Sequence, residues 1–145
     1  MSKLWLVVVA MSIALSGCHV SREARADPIE TGLGQVFTLP GGHEATISGE
    51  NLRLRFDQVF EDSRCPRQVD CVWTGQARIA VVVQQAQGDP TTVELNTNPA
   101  PGQTARTVDV GDYTIELQAL DPYPETPEDA LALADYRATL VVRKN

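Results

Sequence analysis

Leu52-Arg53-Leu54-Arg55-Phe56-Asp57 alternates apolar and charged residues without a break. A period of two cannot keep one face of a helix apolar, where neighbours on a face recur every three or four residues. It describes a strand with one face in a core and the other in water. Shorter pieces of the same kind follow along the chain, each cut by turn residues. Val36-Phe37-Thr38-Leu39 runs into Pro40-Gly41-Gly42, and Ala45-Thr46-Ile47 comes next. Gln76 to Gln87 is apolar on both faces over Ala80 to Val83, the mark of a strand inside a sheet. Gly88-Asp89-Pro90 turns it into Thr91 to Asn96 as a hairpin, and Gly111-Asp112 joins Thr107–Val110 to Tyr113–Gln118 in the same way. A slip of the pattern at Asp57-Gln58, before Val59-Phe60, predicts a β-bulge. Asp121-Pro122-Tyr123-Pro124 ends a strand, and Tyr136, Ala138, Leu140 and Val142 share one face of the last one.

One segment departs from this grammar. Thr126-Pro127-Glu128-Asp129 has a capping residue, a proline at the first helical position and an acidic residue in the first turn. With Ala130 to Ala134 it predicts about two turns of helix. The expected fold is therefore all-β: an antiparallel β-sandwich or flattened barrel of six to eight short strands, with one short helix before the last strand. It occupies residues 35–145 as a single domain.

The N-terminus speaks about compartment. Ser2-Lys3 is followed by an apolar run from Leu4 to Leu15, which is too short to span a bilayer, for which about twenty residues are needed. Such a run followed by small residues is the pattern of an export signal. Leu15-Ser16-Gly17-Cys18 resembles the lipobox of bacterial lipoprotein signal peptides. The resemblance implies a leader over residues 1–17, cleavage before Cys18, a diacylglyceryl thioether on its sulfur and acylation of its amine. With His19 rather than Asp after the cysteine, it further implies the outer membrane, on the periplasmic side, in an envelope that has two membranes. Residues 18–34 then form a polar tether.

Removal of the leader leaves 145 − 17 = 128 residues and takes one cation, Lys3, so the net charge moves from −7 to −8. An acidic chain without a basic run does not fit nucleic acid or adsorption to anionic headgroups. Its membrane contact is the lipid on Cys18.

Of three cysteines, Cys18 is taken by lipid, which leaves Cys65 and Cys71. In an exported chain the expected state of this pair is a local disulfide. Two other readings use the same sulfurs. Redox catalysis wants a tighter pair at a helix N-terminus. A metal site would need two more ligands, with His43 the nearest candidate. Trp73 follows the pair and is expected in the core or at its rim, packed over the bridge; the alternative is an exposed aromatic used in binding. Pro66 and Gly75 shape the loop. Asp62 and Arg64 at its entrance are expected to satisfy loop groups or pair with each other, with ligand contact as the alternative.

Asp62-Ser63-Arg64-Cys65-Pro66 followed by Cys71-x-Trp73-x-Gly75-x-Ala77 resembles a motif of small exported or lipid-anchored bacterial proteins, and Pro122-Tyr123-Pro124 and the Tyr136 strand are similar to their C-terminal part. The resemblance implies a β-rich domain and no activity. The chain carries no Gly-x-Ser-x-Gly, no His-Glu-x-x-His and only two histidines. No cofactor and no enzymatic activity are expected. The leading expectation is a membrane-anchored, non-catalytic module that binds a protein, a glycan or a small molecule in the envelope, with Asp62, Arg64, Arg67 and Trp73 as candidate contacts. A second is an inhibitor of an envelope hydrolase that presents Arg64 and Arg67 on a pinned loop. A third is a metal-handling protein using Cys65, Cys71 and His43.

Overall fold

The computed structural model describes residues 26–102 and 105–145; the leader, Cys18 and tether residues 18–25 lie outside them. Among the described residues the fold is all-β, nine strands in two sheets. In chain order the strands are β1 (Ile29–Thr31), β2 (Val36–Pro40), β3 (Glu44–Ile47), β4 (Leu52–Asp62), β5 (Ala77–Gln85), β6 (Thr91–Asn96), β7 (Thr107–Val110), β8 (Tyr113–Asp121) and β9 (Arg137–Lys144). One sheet has the order β1-β3-β4-β5-β6 and the other β2-β9-β8-β7. They do not close into a barrel, so of the two expected forms the sandwich is the one adopted.

The alternating residues do what their period requires. Leu52, Leu54 and Phe56 of β4 are fully buried, with Ile79, Val81 and Val83 of β5 beside them. Ile115 and Leu117 of β8 and Ala138, Leu140 and Val142 of β9 belong to the same core from the second sheet. The slip in β4 is a register shift between Phe56 and Gln58, with another between Val59 and Glu61. Both hairpins form, β5 with β6 and β7 with β8.

Four expectations change. Among the described residues the strands number nine instead of six to eight, because β1, three residues long, is too short to show a period. β1 is also parallel to its neighbour, with Ile29 opposite Ala45 and Thr31 opposite Ile47. The sheet therefore begins at Ile29, inside the stretch assigned to the tether, where half-buried Ile29 and buried Thr31 give the edge strand its hold. The two-turn helix is absent. The Asp129 carboxylate instead accepts from the backbone N–H groups of Glu125 (2.7 Å) and Thr126 (3.1 Å), closing a local turn. Only a single 3-10 turn, Leu133–Asp135, precedes β9. Five Ala and Leu residues are too few to repay helix nucleation, and Leu131 and Leu133 pack against the core instead.

Candidate functional site

Asp62, Arg64, Cys65, Arg67, Cys71 and Trp73 gather at one end of the sandwich. There β4 ends, β5 begins, and the cysteine loop between them lies against the segment that follows β8. The loop starts as a continuation of the β4–β5 ladder: Ser63 N–H donates to the Gln76 carbonyl (2.7 Å) and Cys65 N–H to the Thr74 carbonyl (2.9 Å). Gly75 makes that approach possible. Its φ is +69° and a Cβ there would overlap the Ser63 carbonyl, so no other residue fits without separating the two backbones.

Cys65 and Cys71 form the expected disulfide, with Cα atoms 5.9 Å apart. Both sulfurs are therefore unavailable to metal, and the ligand set Cys65, Cys71 and His43 is not assembled. No group of three or more His, Cys, Asp or Glu side chains is placed to hold an ion among the described residues. The loop is also tied to the opposite sheet, where Arg67 N–H donates to the Pro124 carbonyl and Gln68 N–H to that of Glu125, each at 3.1 Å.

The underside of the loop is a buried ionic cluster. Asp62 and Arg64 sit two residues apart at the end of an extended strand, which puts both side chains on the same side. Arg64 is only 7% exposed. Its Nε and Nη2 donate to the two carboxylate oxygens of Asp62 at 2.7 and 2.6 Å, a bidentate pair. Nη1 and Nη2 also donate to the carbonyls of Leu120 (2.5 Å) and Pro122 (2.9 Å) at the end of β8. Tyr136 completes the cluster from the start of β9, its hydroxyl donating to Asp62 Oδ2 at 3.0 Å. Burial, together with the Asp62 charge and this bond, pushes the Tyr136 phenol up to about 12. The guanidinium lies 4.9 Å from the centre of the Tyr123 ring. One arginine thus ties together strand ends from both sheets.

Arg64 is accordingly a structural residue and does not project from the loop. Of the pair expected on an inhibitory loop only Arg67 reaches solvent, and it is held by Glu125 at 2.6 Å with Tyr123 beside it. Trp73 differs most from expectation: it neither enters the core nor covers the bridge. It is 82% exposed and its neighbour Val72 90%. Val72 and Trp73 lie in a bend of the loop that belongs to neither strand, and both could enter a core only if the loop were enclosed. Nothing encloses it.

Beside the loop lies an open cleft of about 380 Å³, walled by Arg64, Gly75, Asn98, Arg106, Leu120 and Tyr123. Its far wall is the segment after β6, where the Asn98 side chain donates to Thr74 Oγ1 (2.8 Å) and to the Gly75 carbonyl (2.9 Å). Arg106 bonds the Thr97 carbonyl. Sequence reasoning found Asp62, Arg64 and Trp73, but not Tyr123, Tyr136 or Arg106, because those meet the loop across the sandwich.

Compared with protein families, curated proteins and solved structures, the chain matches none. The site therefore rests on its own geometry.

Proposed function

We propose that this chain is a lipid-anchored, non-catalytic binding module of the bacterial envelope, whose contact surface is the tip of the cysteine loop. One observation carries the reading. Val72 and Trp73 are held in water by a loop fixed at every side: a disulfide across it, the β4–β5 ladder beneath it, Arg64 under it and the Pro122–Glu125 segment along it. Large apolar side chains on a rigid, solvated loop are costly to keep unless something covers them, and rigidity lowers the entropy lost when it does. Tryptophan is the side chain most often central to such contacts. The leader and Leu15-Ser16-Gly17-Cys18 support the anchor and the envelope location, on the periplasmic side of the outer membrane where the host has one.

Intact-mass analysis of the protein recovered from membranes tests the anchor: acylated Cys18 is expected, together with a gain of two hydrogens on reduction of Cys65–Cys71. An unmodified Cys18 contradicts it. A photo-reactive side chain at position 73 tests the contact in growing cells. Adducts are expected there and not at position 38, on the exposed side of β2; equal labelling at both contradicts a specific contact.

A further inference from the structure

The class of partner follows from where the chain enters the fold. β1 runs parallel to β3, and β3 antiparallel to β4, so Ile29 lies level with Ala45 and Leu54 while Thr31 lies level with Ile47 and Leu52. β4 then travels from Leu52 towards Asp62 and the cysteine loop. The chain therefore comes into β1 from the side of the cysteine loop. From Cys18 to Ile29 there are 29 − 18 = 11 residue steps. They reach at most roughly 36–40 Å. From Leu54, level with Ile29, to Cys65 at the root of the loop there are 65 − 54 = 11 steps of strand and ladder, roughly 36 Å at the rise of a strand. Near full extension the tether brings a lipid on Cys18 level with the loop tip, and it is too short to carry the bilayer beyond that end of the sandwich.

We infer that the partner of Val72 and Trp73 is the bilayer that holds Cys18, the two side chains dipping into its headgroup layer and fixing which end of the sandwich faces the membrane. This inference rests on the lipid-anchor reading above. Tryptophan favours that layer, where its ring is buried and its N–H stays wet. The net charge of −8 after cleavage gives no attraction to anionic headgroups. Arg67, the cation between Cys65 and Cys71, is paired with Glu125. The contact is therefore apolar and suited to a zwitterionic surface. Two side chains bind a membrane weakly by themselves. Once Cys18 is anchored the encounter becomes intramolecular, and a weak contact is occupied most of the time.

The test uses the full lipidated protein in phosphatidylcholine vesicles, with and without brominated acyl chains. Cleavage of the leader removes Trp5 and leaves Trp73 as the sole tryptophan. The expected result is flotation with the vesicles, a blue-shifted Trp73 emission and a several-fold loss of that emission with brominated lipid. Val72→Asp is expected to float equally well and lose most of the quenching. A reporter moved to the edge of β2 by Val36→Trp in a Trp73→Phe background should stay bright. Flotation with water-like, unquenched Trp73 emission overturns the bilayer contact and leaves the anchor standing. A protein that carries no lipid and does not float overturns the anchor, and the bilayer contact with it.

Discussion

The two ends of the sandwich carry the same three-part device in different surroundings. At the cysteine-loop end it is Tyr136–Asp62–Arg64, with the paired side chains 10% and 6% exposed. At the opposite end it is Tyr113–Glu50–Lys144: the Tyr113 hydroxyl donates to Glu50 at 2.6 Å and the Lys144 ammonium reaches the same carboxylate at 3.1 Å. There the lysine is half exposed. The phenol bond and the ammonium hold Glu50 below the usual carboxylate range, while Glu50 raises both Tyr113 and Lys144. Identical chemistry does unequal work, because water competes for the second device and is excluded from the first. The buried one locks a loop to both sheets; the open one links the β3–β4 turn to β8 and β9 through bonds that water contests.

Removing one partner separates them most sharply. Arg64→Ala leaves Asp62 buried and two carbonyls unpaired, and is expected to lower unfolding free energy by roughly 3–5 kcal/mol in urea titration. Reducing the disulfide, or Cys65→Ser with Cys71→Ser, frees a seven-residue loop and should cost roughly 2 kcal/mol on the loop-entropy account. Tyr136→Phe removes one bond to a carboxylate that keeps its guanidinium, a smaller loss of about 1–2 kcal/mol. Lys144→Met is expected to leave the urea midpoint where it was.

Alkaline pH sharpens the comparison further. The fold favours the neutral Tyr136 phenol, so its stabilisation is whole below pH 10 and is lost as pH climbs towards about 12. Thermal midpoints measured across that window should fall less steeply in Tyr136→Phe than in the wild type. Tyr113→Phe should flatten the curve less, since Tyr113 lies at the solvated end.

The sequence was most legible where a signal is local. The period of Leu52–Asp57, the glycine and proline turns and the Cys65–Cys71 pair each announce their structure within a few residues. What it hid is non-local. The pairing of Arg64 with Asp62 is legible two residues apart, but only the carbonyls of Leu120 and Pro122, more than fifty residues away, explain its burial. The helix expected near Thr126 failed because its run of five Ala and Leu residues is too short to repay nucleation, while Leu131 and Leu133 pack on the core. Trp73 reads first as a core or rim residue because tryptophans are mostly buried, and the structure adopts the alternative, an exposed aromatic. The competing signal was the adjacent apolar pair Val72-Trp73, which an open loop cannot bury on one side.

That pair is also where the account is most directly exposed to contradiction. The measurement is the emission and iodide quenching of Trp73 in the processed protein free of membranes, before and after reduction of Cys65–Cys71. The account predicts water-like emission fully open to quencher in the oxidised protein, with high anisotropy that falls on reduction as the pinned loop is released. A blue-shifted, quencher-protected Trp73 in the oxidised protein would place the indole inside the fold and leave the loop tip with nothing to present.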